Sequence, residues 1–387
     1  MKKIFVSFQG INKYPEGMVR ILYPIFEKFK DNDSVYFMSY CETKDKNLKR
    51  LFFYNKLKNL VTKILNKLNY NIGKIRYIQE ILFDIFMYFK ITEPSFIVTT
   101  ALLPLTSKKN KMKGGINIFI AGNPYDRAIC DELLKEMQKH NITFQDAYTY
   151  NKRLNFIDNF LNFQDYIITQ TSVTYTSYTN YGFKNIKNLE YHPIPNFENK
   201  EISQKKIDDK VTFLYLAHSV WLKGLYYLLE AWGMNNFDAK LIIGGYIHPL
   251  VAEKIVKFNN NVTFVPYIKY DNLNEFFSKG DVTIVPSLFD DHPATIIESL
   301  YFGLPVITTD KCGSSSLIKD GYNGFVIPPK NSDEIANKIL WFIENKNNLQ
   351  IMKENAKNSI KVYNVEKQIN DYFEYINNIY QSNLGIK

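Results

Sequence analysis

Cysteine is scarce: Cys41, Cys130 and Cys312 are the only three in 387 residues. Odd in number, far apart and without paired metal-ligand spacing, they exclude a disulfide scaffold and a clustered thiolate site, so a reduced, cytoplasmic chain is expected. Long apolar runs are missing too. No segment approaches the roughly 18 uninterrupted apolar residues of a membrane-spanning helix. The opening MKKIFVSFQG reaches Gln9 and Gly10 too early for a signal peptide. There is no short-period repeat, which excludes a solenoid.

What is present is a globular composition. Apolar residues make up 45% and aromatics 16%, with 28 Tyr and 29 Phe, enough to build more than one core. The length suits two domains. The net charge of +9 is concentrated between Lys44 and Lys90, where eleven Lys or Arg face only Asp45, Glu80 and Asp84. Within that insertion, about 44–90, Leu57, Leu60, Val61, Ile64, Leu65 and Leu68 share one helical stripe, and Lys56, Lys58, Lys63 and Lys67 lie largely elsewhere around the helix. Two readings stand side by side. The segment is a solvated basic face on a core-packing helix, or it attracts anionic lipid with Phe52, Phe53 and Tyr54 as interfacial aromatics. Nucleic acid is not expected as a partner, because no recognition motif accompanies the charge.

The second half alternates strand and helix. VTFLYLA, AKLIIGG, NVTFVPY, DVTIVPS and PVITT read as strands, separated by stretches with helical spacing such as GLYYLLEAW and ATIIESLYF. KKIFVSF, SVYFMSY, SFIVTTA, INIFIA and DYIITQ continue the pattern in the first half. Continuous apolar strands joined by helices predict an α/β fold with parallel sheets covered on both faces. The proline- and charge-rich stretch around Asn196 marks a boundary between an N-terminal domain, 1–195, and a C-terminal domain, 196–387, whose last helix is expected to pack back on the first. Two doubly wound, Rossmann-like domains would face each other across a cleft where such sheets bind ligands.

The loop after DVTIVPS carries Asp290, Asp291 and His292, and Pro293 suits the first turn of the helix that follows. The amides of Ala294 and Thr295 would then offer the positive end of that helix to a phosphate. Glu298, one turn inward, is placed to accept hydrogen bonds from paired sugar hydroxyls, and Asp290 reaches the same space. Lys223, just before the predicted helix in GLYYLLEAW, and His218 are candidates for holding a diphosphate. The pattern suits a nucleotide-sugar. For Asp290 the alternative is a solvated loop acid or cap, and for Lys223 an ordinary exposed lysine. A buried, unpaired Glu298 would be costly, which favours a role for it. Asp31–Asp33, in a predicted turn, is not read as a metal site.

These residues carry a resemblance to glycosyltransferase family 4, the glycosyl transferases group 1 enzymes of GT-B fold. DDHPATIIE is similar to the family's paired acids with seven residues between them, ESLYFGLPVITTD to its Gly-x-Pro-Val run, and DGYNGFVIPP to its Asp-Gly-x-Asn-Gly segment. HSVWLKG resembles the diphosphate loop, PIPNF the Pro-Asn hinge, and YPEGMVRIL the Gly-rich first loop. The resemblance implies a retaining, metal-independent transfer with no cofactor and a nucleotide-sugar donor, a UDP-sugar in preference to a GDP-sugar. By it, Glu298 would bind the donor ribose, Asp290 the transferred sugar, Lys223 the diphosphate, and the backbone near Tyr267 and Ile268 the base. Gly10, Gly17 and Asn123 would lie on the acceptor side, toward a glycan or lipid-linked acceptor. His218 replaces the family's Arg, Asp290 its first Glu and Ser316 a later Glu, while Asn123 stands near the place of a common His. An inert GT-B partner subunit and a nucleotide-sugar epimerase remain the alternatives.

Overall fold

Thirteen strands among the described residues fall into two separate parallel sheets. The computed structural model describes residues 1–8, 18–29, 35–39, 48–50, 52–144, 146–193, 210–218, 221–247, 251–252, 261–361 and 363–383. Gly10, Gly17, Asp31–Asp33, Cys41 and most of the PIPNF segment lie outside them. Packing divides the chain into two units, one of Met1–Tyr191 with Glu366–Lys387 and one of His192–Val365.

The first unit's strands are β1 (Lys2–Val6), β2 (Val35–Ser39), β3 (Leu48–Arg50), β4 (Ser95–Thr99), β5 (Ile116–Ala121), β6 (Tyr166–Thr169) and β7 (Ile186–Asn188), in the order β3-β2-β1-β4-β5-β6-β7. All six residues of β5 are buried. That accounts for its unbroken apolar run, since a parallel strand is covered on both faces. The last helix, Val365–Asn383, belongs to this unit: Tyr372 donates from its hydroxyl to the Leu189 carbonyl at 2.6 Å, and Tyr380 to the Met1 carbonyl at 2.9 Å. β3 and β7, with three residues each, are too short to show a period in the sequence.

The basic insertion folds as β3 and a hairpin of two helices, Phe52–Lys67 and Ile72–Lys90. The second helix is anchored by Asp84, whose carboxylate accepts from the Leu105 and Thr106 amides at 2.7 and 3.0 Å and so caps the helix Pro104–Met112. Burial raises the Asp84 pKa, and those amides work against the rise. Tyr54 is not the interfacial aromatic expected of it. It is buried, stacked edge-on against Phe83 at 5.0 Å, because its ring faces the second helix.

The second unit holds β8 (Val211–Leu216), β9 (Ala239–Gly244), β10 (Val262–Val265), β11 (Val282–Val285), β12 (Val306–Thr309) and β13 (Gly324–Ile327), in the order β10-β9-β8-β11-β12-β13. β8 and β11 pair through Phe213 with Val282 and Leu214 with Thr283. A buried pair joins their starts: Lys353 donates to Asp281 at 2.8 Å, and the other oxygen of Asp281 accepts from the Thr212 amide at 2.9 Å. In both sheets the strand order reverses at one point, between β1 and β4 and between β8 and β11. The crevice beyond the carboxyl ends of strands at such a reversal is where doubly wound sheets bind ligands.

Candidate functional site

Two loops leave β8 and β11 at the second unit's reversal point, and Gly224 lets them touch. It adopts a left-handed φ of +69°, and a Cβ there would lie 1.9 Å from the Pro286 carbonyl oxygen. A side chain would push the loops apart. Beside it the Leu288 amide donates to the Leu222 carbonyl at 2.7 Å. This close approach brings the Lys223 ammonium into an ion pair with the Asp290 carboxylate, which also accepts from the Ser287 hydroxyl at 3.4 Å. Residues 67 positions apart in sequence thus form one charged pair at the head of the following helix.

The Asp290 backbone is fixed on its other side by β12's loop. Its amide donates to the Lys311 carbonyl, and its carbonyl accepts from the Gly313 amide, both at 2.9 Å. Asp290 therefore forms a β-bridge with Cys312. Successive residues of extended backbone point to opposite sides. Asp291, the neighbour of Asp290 in this loop, is buried, with its carboxylate 2.9 Å from His292 Nδ1.

The helix runs from Ala294 to Tyr301, with Pro293 one residue before it at the cap position rather than in the first turn. The Thr295 hydroxyl donates to the Leu216 carbonyl at 2.9 Å, tying the helix start to the end of β8. Glu298 is buried in this helix, beside Ile296, Ile297 and Leu300 of the core. The site thus holds one cation, a helix N-terminus and two carboxylates of different exposure, which suits a ligand with both phosphate and hydroxyl groups.

His218 stacks on Tyr246 with ring centroids 4.8 Å apart. Tyr267 is 76% exposed, and Ile268 packs against the Leu214–Phe276–Phe277 cluster beyond β10, two strands from β8. Asn123 lies in the first unit, at a cavity of about 110 Å³ at that unit's own reversal point, lined also by Phe8, Thr100, Gly122 and four charged residues, Arg76, Glu80, Asp126 and Arg153. Gly122 permits it: a Cβ there would sit 1.8 Å from the Met18 sulfur. Among the described residues no group of three or more His, Cys, Asp or Glu is arranged to hold a metal ion.

Sequence reasoning passed over His192 and the four charged cavity residues. His192 precedes the Pro-Asn segment and packs edge-on to His292 at 5.3 Å and to Tyr363 at 5.3 Å, with Ser316 Oγ 3.3 Å from its Nε2. Nothing local distinguishes it, since its neighbours come from three distant loops. Burial, then repulsion from His292, pushes its pKa from 6.5 down to about 3, against a smaller opposing pull from Asp291. The folded state keeps this ring neutral while the unfolded chain protonates it near 6.5. Its contribution to stability is therefore full above pH 6.5 and is lost as pH falls toward 3. A His192→Asn variant is expected to lose less stability than wild type on acidification from pH 6.5 to about 4, by a few kcal/mol in urea unfolding. Parallel pH profiles would refute this.

Comparison with known proteins fits this geometry. Residues 196–359 match the family described as Glycosyl transferases group 1. The matched segment lies within the second unit. Relatives in sequence include an uncharacterized glycosyltransferase of Methanocaldococcus jannaschii, 28% identical over 137 residues, covering 33% of this chain and 35% of its own. The UDP-Gal:alpha-D-GlcNAc-diphosphoundecaprenol alpha-1,3-galactosyltransferase of Escherichia coli is 29% identical over 100 residues, 26% of each chain. The chain spans about half the length, or less, of the curated relatives it matches first. Among solved structures, the sucrose-phosphate synthase of Thermosynechococcus elongatus superposes with a TM-score of 0.67 at 15% identity, over 99% of this chain and all of that one. The fold is GT-B.

Proposed function

We propose that this protein is a retaining glycosyltransferase that moves a sugar from a nucleotide-diphosphate sugar to a glycan or lipid-linked acceptor in cell-surface polysaccharide or glycoconjugate synthesis. The observation that carries the reading is the Lys223–Asp290 pair at the β8/β11 reversal, at the head of the helix bearing Glu298, inside the segment matched to group 1. In this reading the donor diphosphate takes Lys223 from Asp290 and lies against the amides that open the helix Ala294–Tyr301. That charge arrangement can stabilise a departing diphosphate without a metal. Glu298 holds ribose hydroxyls, Asp290 the transferred sugar, and the backbone at Tyr267 and Ile268 the base. The preference for a UDP-sugar is supported by the Escherichia coli relative, whose name specifies UDP-galactose and a diphosphoundecaprenol acceptor. The first unit, with Asn123 and the segment of Gly10 and Gly17, takes the acceptor. The protein works on the cytoplasmic side of the membrane.

Lys223→Ala is expected to weaken UDP binding in calorimetric titration about 10- to 150-fold, the value of a hydrogen bond to a charged group. Unchanged affinity would remove Lys223 from the site. Donor turnover by the purified wild type separates the readings: transfer or hydrolysis supports the proposal, free epimer supports an epimerase, and UDP binding without turnover supports an inert partner.

A further inference from the structure

The helix Phe52–Lys67 divides its side chains between two faces. Tyr54 and Thr62 turn to the second hairpin helix: the Tyr54 hydroxyl donates to the Gln79 carbonyl at 3.1 Å, and Gln79 Nε2 donates to the Thr62 hydroxyl at 2.7 Å. Val61 and Leu65 follow the same side and are partly buried. Lys58 joins them, near the Phe8 ring, where burial lowers its pKa. Leu57, Leu60, Ile64 and Leu68 do not. They are between 47% and 60% exposed, and at about 100° per residue they form one stripe. Along the edge of that stripe farther from the second helix run Lys56, Lys63 and Lys67, all exposed.

The second helix continues this surface. Ile78, Leu82, Ile85 and Phe89 repeat at helical spacing, with Ile85 and Phe89 at 40% and 72% exposure. Because the helices run antiparallel and meet through Tyr54 and Phe83, helical geometry sets both stripes on the same side of the hairpin. Its two acids, Glu80 and Asp84, are buried, so every charged side chain it shows to solvent is basic.

We propose that this face of the hairpin docks flat on an anionic lipid bilayer. Leucine, isoleucine and phenylalanine enter the boundary between headgroups and acyl chains, and the lysine row meets phosphate. Charge selects this occupant over a second copy of the chain, since two-fold pairing would gather both lysine rows with no exposed acid to answer them. The opposite side of the second helix supplies Arg76 and Glu80 to the first unit's cavity. Docking therefore sets a cavity wall beside the membrane, within reach of an acceptor whose lipid stays in the bilayer. This last consequence rests on the transferase reading; the docking does not.

Sedimentation with vesicles of phosphatidylglycerol mixed with phosphatidylcholine, without donor or acceptor, tests it. The wild type is expected to pellet at low salt, to stay in solution with pure phosphatidylcholine, and to be released by salt. K56Q/K63Q/K67Q should lower partition on the order of a hundredfold, about fivefold per lysine. L60S/I64S, at exposed positions, should abolish it with an unchanged Tm. A wild type left in the supernatant at low salt overturns the proposal, as does partition unaffected by both sets. So does a concentration-dependent dimer that L60S/I64S dissociates, which would make the face a contact between copies.

Discussion

Glu298→Ala is expected to lower kcat/KM for sugar transfer by about 10²- to 10⁴-fold, with the fold intact by circular dichroism. A carboxylate accepting two hydroxyl hydrogen bonds contributes roughly 1.5–3 kcal/mol through each, more in a site that excludes water. Glu298 is buried, at 6% exposure, so its oxygens meet little competing solvent. Alanine fits the helix well and removes a group whose burial the apo protein must compensate. Glu298→Gln, which keeps one acceptor without the charge, should fall between the two. Near-normal turnover in the alanine variant would overturn the assignment of Glu298 to the donor.

The second large effect is on stability. Arg153 is 2% exposed and ties three elements of the first unit together. Its Nε and one terminal nitrogen donate to the two oxygens of Glu80 at 2.9 and 3.1 Å, and the other terminal nitrogen donates to Asp126 at 2.6 Å. Burial alone opposes the guanidinium charge, but Asp126 and Glu80 outweigh it and hold the pKa above its ordinary value. Arg153→Ala leaves the Asp126 carboxylate without its guanidinium partner and Glu80 with Arg76 alone, at 3.1 Å, and should cost the first unit about 3–5 kcal/mol in urea unfolding. Replacing Glu80 and Asp126 as well, by Leu, should restore much of that loss, because the penalty belongs to the uncompensated charges. If the single variant unfolds with the wild type, the cluster contributes no such stability. Glu80, Asp126 and Arg153 also line the cavity beside Asn123, so the triple variant should keep its fold and lose acceptor binding.

How much was legible beforehand follows from the range of each interaction. Most strands of both sheets were readable because a strand covered on both faces is apolar throughout, and ten runs stand out; β3 and β7 did not, at three residues each, and β13 lay inside the DGYNGFVIPP segment without being read as a strand. The loop Asp290–Pro293 and Glu298 were readable because a helix start and its first turn lie within ten residues. DGYNG was also readable, since its bonds are local: Asp320 accepts from the Val326 amide at 2.7 Å and Asn323 from the Lys319 amide at 2.7 Å. By contrast, the pairing of Lys223 with Asp290 depends on the Gly224–Pro286 approach, the inward turn of Asp291 on a bridge to Cys312, and the neutrality of His192 on residues from distant loops. The hairpin shows the division within one helix. Amino-acid order alone set its amphipathic stripe and its lysines, since period and charge belong to the chain. Which half of that stripe would be covered was decided by tertiary packing: the second helix buries Tyr54 and partly covers Val61 and Leu65, and Leu57, Leu60, Ile64 and Leu68 stay in solvent.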